Sequence, residues 1–131
     1  MTIVVDTDVV SYIVKGDTRG ALYRPHLAGQ VATISFMTLA ELERWTLVAN
    51  WGARRRQQLK THLRRYVVQH SSAQVCRLWA ATMNETRRAG TPMSVADAWV
   101  AATALHLQLP LVTHNRTHFA GVAGLTIISE S

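Results

Sequence analysis

Short apolar runs alternating with longer helical stretches constrain this chain more than any other feature. Thr2-Ile3-Val4-Val5 is a β-branched run closed by Asp6, and Val31-Ala32-Thr33-Ile34 is a second closed by Ser35. Leu111-Val112-Thr113 and Leu125-Thr126-Ile127-Ile128 come late, and Val67-Val68 is a weaker candidate between them. Continuous rather than alternating hydrophobicity marks strands buried on both faces, which is the pattern of parallel sheets. Helical patterns are expected over residues 7–14, 37–51, 53–65, 72–89 and 94–108, with a short one over 18–28 interrupted by Pro25. Strands separated by helices imply βαβ units. The expected fold is a small doubly wound α/β domain, with a mostly parallel central sheet flanked by helices on both faces. At 131 residues the chain fits one domain, 1–131, with one real core.

Ligands in such sheets gather outside the carboxyl ends of the strands. The polar residues to question are therefore Asp6, Thr7 and Asp8, then Ser35, then Thr113, His114 and Asn115. Composition matters here because acids are scarce: 8 Asp and Glu against 14 Lys and Arg, a formal charge of +6. Three of the eight acids stand where a carboxylate is expensive. Asp6 ends the first strand, where it could serve as a helix cap. Glu41 shares a helical stripe with Met37, Trp45 and Val48, so it must be paired, protonated or metal-bound, and an Arg partner is the ordinary alternative. Asp97 is the only formally charged residue between Thr91 and Asn115, and Ser94 with Asp97 matches the S-x-x-D capping box. A cap accounts for each acid singly. It does not account for three acids at one end of the sheet, where carboxylates repel unless they share protons or hold a hard cation.

Several classes drop out. Cys76 is the only cysteine, so no internal disulfide framework or cysteine zinc site is expected, and the cytosol is the default compartment. The opening Met-Thr-Ile-Val-Val-Asp lacks the basic start of a signal peptide, and no apolar run is long enough to span a membrane.

Four segments carry a resemblance. They are Ile-Val-Val-Asp-Thr-Asp-Val-Val (3–10), Ile-Ser-Phe-Met-Thr-Leu-Ala-Glu-Leu (34–42), Val-Ala-Asp-Ala-Trp-Val-Ala-Ala-Thr-Ala-Leu (95–105) and Leu-Val-Thr-His-Asn-Arg-Thr-His-Phe (111–119). In order and spacing they resemble the successive motifs of PIN-domain nucleases, in particular the VapC toxins of bacterial type II toxin–antitoxin pairs. The resemblance implies a Rossmann-like sheet, a Mg²⁺- or Mn²⁺-dependent endoribonuclease, and a homodimer held by a VapB-like antitoxin. It implies Asp6, Glu41 and Asp97 as catalytic, metal-binding acids, with Thr7, Asp8, Ser35 and Thr113 as their polar support. A metal-activated water would then attack the phosphorus of an RNA such as tRNA or rRNA, opposite the leaving 3′-oxygen. Family members often carry a further acid in the T-x-[ND]-x-x-x-F segment. Here it reads Thr113-His114-Asn115-Arg116-Thr117-His118-Phe119, so Asn115 offers a neutral oxygen and His118 a nitrogen. The H-x₃-H spacing of His114 and His118 also admits a zinc reading, though without a third ligand.

From Arg44 to Arg88 ten cations face one acid, Glu85. Arg54, Arg55, Arg56, Lys60, Arg64 and Arg65 form the densest part, expected to contact an RNA backbone or an acidic antitoxin segment. Two rival readings exist. Asp6-Thr7-Asp8-Val9-Val10 fits the opening of haloacid-dehalogenase-type phosphatases, with Asp6 as nucleophile and Asp8 as general acid. The missing fourth acid fits a catalytically silent PIN-like module that binds RNA or a partner.

Overall fold

The computed structural model describes all 131 residues. The elements run β1 (Thr2–Val5), α1 (Thr7–Lys15), α2 (Thr18–Leu27), β2 (Val31–Ser35), α3 (Phe36–Val48), α4 (Ala53–Leu63), β3 (Tyr66–Gln69), α5 (Ala73–Arg88), α6 (Val95–Leu107), β4 (Leu111–Val112), α7 (Arg116–Phe119) and β5 (Ile127–Ile128). The five strands form one sheet in the order β3-β2-β1-β4-β5, and every pairing is parallel. β1 lies in the middle, with Val4 opposite Thr33 on one side and Leu111 on the other.

Alternation along β1 sends its side chains to two different cores. Ile3 and Val5 join Ala32, Ile34, Tyr66 and Val112 beneath α1 to α4, where Val10, Tyr23, Leu42 and Leu59 meet them. Val4 and Leu111 face the other way, against Val100, Ala101 and Ala104 of α6 and Phe119 of α7. Helices therefore cover both faces, and the sheet is buried as the apolar runs imply.

Three local features depart from the sequence pattern. Pro25 does not interrupt α2; it sits in the last turn, close to the helix end, and the helix continues to Leu27. β3 is a full four-residue strand although only Val67 and Val68 signal it; it is the sheet edge, where Val67 remains 54% exposed. Residues 116–119 form a one-turn helix too short to leave a periodic signal. α1 and α2 pack closely because residue 20 is glycine: a Cβ there would stand 2.9 Å from Ile13 N and Tyr12 C. No helix is long and apolar enough to cross a membrane.

Candidate active site

The order β3-β2-β1-β4-β5 reverses direction between β1 and β4, and ligands of open α/β sheets bind at such a switch point. Asp6 stands there. It follows β1, caps α1 by accepting from Thr7 N through Oδ1 at 2.8 Å, and accepts from Thr113 Oγ1 through Oδ2 at 2.8 Å. Thr113 follows β4, so one hydrogen bond closes the switch point between the two strand ends. Asp6 is only 5% exposed. Burial, with Asp8 facing it, pushes its carboxyl well above the usual carboxylate range, and Asp97 adds to the push.

Asp8 lies two residues on, in the first turn of α1. Its Oδ1 accepts from Val9 N at 2.7 Å and its Oδ2 from His114 N at 3.1 Å, which binds the start of α1 to the segment after β4. Burial raises its carboxyl as well. His114 is held from its other side, with Nδ1 2.6 Å from the fully buried Tyr23 hydroxyl.

Glu41 enters from α3. Ser35, fully buried at the end of β2, caps that helix by accepting from Met37 N and Thr38 N at 2.9 and 3.2 Å. The cap sets the direction of α3 and so delivers Glu41 in its second turn. Glu41 Oε1 accepts from Thr7 Oγ1 at 2.8 Å, and Thr7 Oγ1 also lies 3.0 Å from Thr38 Oγ1. The alternative, an Arg partner, is absent: the ion pairs of this chain are Arg19–Asp17, His26–Glu130 and His118–Asp97. Burial raises the Glu41 carboxyl, and Asp97 and Asp8 raise it further.

Asp97 opens α6. Half of the capping box forms, with Asp97 N donating to Ser94 Oγ at 3.1 Å. The carboxylate turns instead to His118, whose Nδ1 lies 3.1 Å from Oδ2. Asp97 thus faces α7 on one side, while its field reaches Asp6 and Glu41 on the other.

Three carboxylates from β1, α3 and α6 therefore repel one another around one rim, and no Arg or Lys neutralises any of them. Hard oxygen donors that lack a protein counter-charge suit a divalent ion such as Mg²⁺ or Mn²⁺. They stand around the rim rather than drawn to one point, since no three His, Cys, Asp or Glu side chains lie at metal-ligand spacing. The zinc reading has no support in the geometry: His114 bonds Tyr23 and His118 bonds Asp97. The Asn115 side chain makes no hydrogen bond; its backbone N donates to Thr113 Oγ1 at 3.1 Å.

The basic residues divide by environment. Arg54, Lys60, Arg64 and Arg65 are exposed on and just beyond α4. Arg55 lies over the Trp51 ring at 4.4 Å. Arg56, also exposed, bends back onto the α3–α4 junction, with Nε 2.8 Å from Trp51 O and its other nitrogens 3.4 and 3.5 Å from Thr46 Oγ1 and O. Sequence reasoning passed over Thr38, and it gave His118 a nitrogen to offer without its partner Asp97. Thr38 carried only the weak signal of a threonine one turn before Glu41, and the His118–Asp97 contact joins residues 21 apart.

An open parallel sheet with clustered acids at its switch point defines an α/β domain whose site lies at the carboxyl ends of its strands. The chain belongs to the PIN domain family, whose model matches residues 3–125. It is 25% identical over 127 residues to Ribonuclease VapC1 of Haemophilus influenzae strain R2866, covering 95% of each chain. In fold it is similar to VapBC2 from Rickettsia felis, solved bound to a DNA fragment from its promoter, with TM-score 0.88, 20% identity and 100% of both chains covered. It is similar also to VapBC-1 from nontypeable Haemophilus influenzae, with TM-score 0.84, 24% identity and 98% of both chains covered. Membership in the PIN family sets the phosphatase reading aside.

Proposed function

We propose that this chain is a metal-dependent endoribonuclease, the toxin of a toxin–antitoxin pair, cutting an RNA such as tRNA or rRNA. The observation that carries this reading is the set Asp6, Glu41 and Asp97: three acids of eight, from three separate elements, with no Lys or Arg partner in a chain that has 14 of them. Such a set costs folding energy, and a bound divalent cation offsets that cost.

Asp6, Glu41 and Asp97 would hold Mg²⁺ or Mn²⁺, with the Asn115 amide oxygen as a neutral addition. The ion supplies an activated water and offsets charge at phosphorus. The chain's own part is orientation. Thr113 and the Thr7 amide fix Asp6, the Thr7 hydroxyl fixes Glu41, Ser35 aims α3, and Asp8 ties the rim to the segment after β4. In the reaction the water oxygen bonds to phosphorus and the P–O3′ bond breaks. The 3′-oxygen takes up a proton, leaving a 3′-hydroxyl and a 5′-phosphate. Arg54, Arg55, Lys60, Arg64 and Arg65 would contact the RNA backbone, with Arg56 holding the α3–α4 junction beneath them. A VapB-like antitoxin, by analogy with the VapBC complexes of similar fold, completes the reading together with a homodimer and a cytoplasmic site of action.

The test is cleavage of tRNA and ribosomal RNA with Mg²⁺ or Mn²⁺ present or chelated, beside Asp6→Asn and Asp97→Asn. Metal-dependent cutting by the wild type alone supports the nuclease. A wild type as inert as its variants, yet binding RNA, would make the chain a silent binding module.

A further inference from the structure

The catalytic rim continues into a groove between α1 and α3. Thr7, Ser11 and Lys15 recur every four residues along α1 and share one face. Glu41, Arg44, Trp45 and Val48 line the facing wall from α3, and Leu42 closes the floor of a space of about 330 Å³. Thr7 and Glu41 are bonded at one end. At the other, Lys15 Nζ lies 4.8 Å from the centre of the Trp45 ring. The α1 wall runs about 12 Å from Thr7 to Lys15 at 1.5 Å per residue.

Charge is segregated along this groove. The acid stands at the rim end, while Lys15 and Arg44 stand further along, exposed and outside every ion pair of the chain. Two cations and an acid that share a groove without pairing suit a ligand presenting the converse order: positive charge at Glu41 and an anion beyond it. A divalent ion followed by a phosphodiester has that order. Beyond Trp45, the buried Trp51 packs on it at 4.5 Å and carries the exposed Arg55 on its ring.

We propose that the α1–α3 groove seats the RNA strand on one side of the scissile phosphate, with Lys15 and Arg44 holding the neighbouring phosphate and the strand continuing towards Arg55. The proposal rests on the nuclease reading and adds a strand path to it. Neither Lys15 nor Arg44 belongs to the dense basic run of α4.

A short fluorescein-labelled single-stranded RNA, titrated without metal at several salt concentrations, tests it. Lys15→Met and Arg44→Met keep an apolar stem and remove the charge. Each should weaken Kd several-fold and reduce the slope of log affinity against log salt, the two together by about 0.7, the loss for one phosphate contact on a single strand. Lys15→Arg should restore both. Arg87→Met, at the end of α5 on the other side of the sheet, should change neither, and matching melting temperatures confirm that the variants fold. Unchanged slopes for Lys15→Met and Arg44→Met, in a wild type that binds and cuts RNA, would overturn the strand path alone. A wild type with no salt-dependent RNA binding would overturn the nuclease reading along with it. Loss of binding to an oligoglutamate peptide with RNA binding intact would make the groove a protein-docking site and also overturn the proposal.

Discussion

His118 Nδ1 lies 3.1 Å from Asp97 Oδ2, and this contact turns the Asp97 carboxylate away from the cap it would otherwise close. On the proposed reading Asp97 binds the metal, and a side chain that orients such an acid acts on affinity without touching the ion, typically by 10- to 100-fold.

His118→Ala should therefore weaken Mn²⁺ binding, measured by calorimetry, about 10-fold. Asn places an amide nitrogen near the Nδ1 position, so His118→Asn should bind nearly as the wild type does. Gln reaches only as far as Nε2, so His118→Gln should resemble Ala. The reverse ranking, with Gln rescuing and Asn failing, would make His118 itself a ligand.

The raised carboxyls give a pH signature. Asp6 is pushed up by burial and by Asp8, so the folded chain holds its proton more tightly than the unfolded chain does. Stability from this group is full below the ordinary carboxylate range near pH 4 and is lost as pH rises through the folded value. Asp6→Asn removes that loss. Without metal, its melting temperature relative to wild type should rise between pH 4 and pH 7, and added Mg²⁺ or Mn²⁺ should raise the melting temperature of the wild type alone. A difference constant with pH would contradict the assignment.

Arg54 and Arg56 are two residues apart with opposite expected behaviour. Arg56 bonds Trp51 O and the Thr46 oxygens at the α3–α4 junction, so Arg56→Ala should cost about 1–2 kcal/mol in denaturant unfolding. Arg54 makes no hydrogen bond or ion pair, so Arg54→Ala should leave stability within about 0.5 kcal/mol and weaken RNA binding instead. A destabilised Arg54→Ala, or an Arg56→Ala as stable as wild type, would reverse the division.

The parts legible in the sequence are those that local pattern encodes. β1, β2 and β4 were marked by apolar runs each closed by one polar residue, and Asp6, Ser35 and Thr113 were placed at strand ends by that pattern. Edge strand β3 was faint because an edge needs only one buried face, and α7 because four residues cannot show a helical period. Glu41 needed coordinates, since its stripe allowed either an Arg partner or none, and only tertiary packing puts Thr7 against it. Arg56 could not be told from Arg54 in a run of three, because its partners lie in the preceding helix and turn. The contact between His118 and Asp97 joins two elements, and no spacing rule encodes it.

The most direct measurement is the chemistry of the RNA ends produced with Mg²⁺ or Mn²⁺ present. Water attack opposite the 3′-oxygen leaves 5′-phosphate and 3′-hydroxyl ends, and it still cuts a substrate carrying a 2′-deoxyribose at the scissile position. Those ends, lost together in Asp6→Asn, Glu41→Gln and Asp97→Asn, are the predicted result. Ends bearing a 2′,3′-cyclic phosphate, or cutting that persists in chelator, would contradict the central role of the three carboxylates.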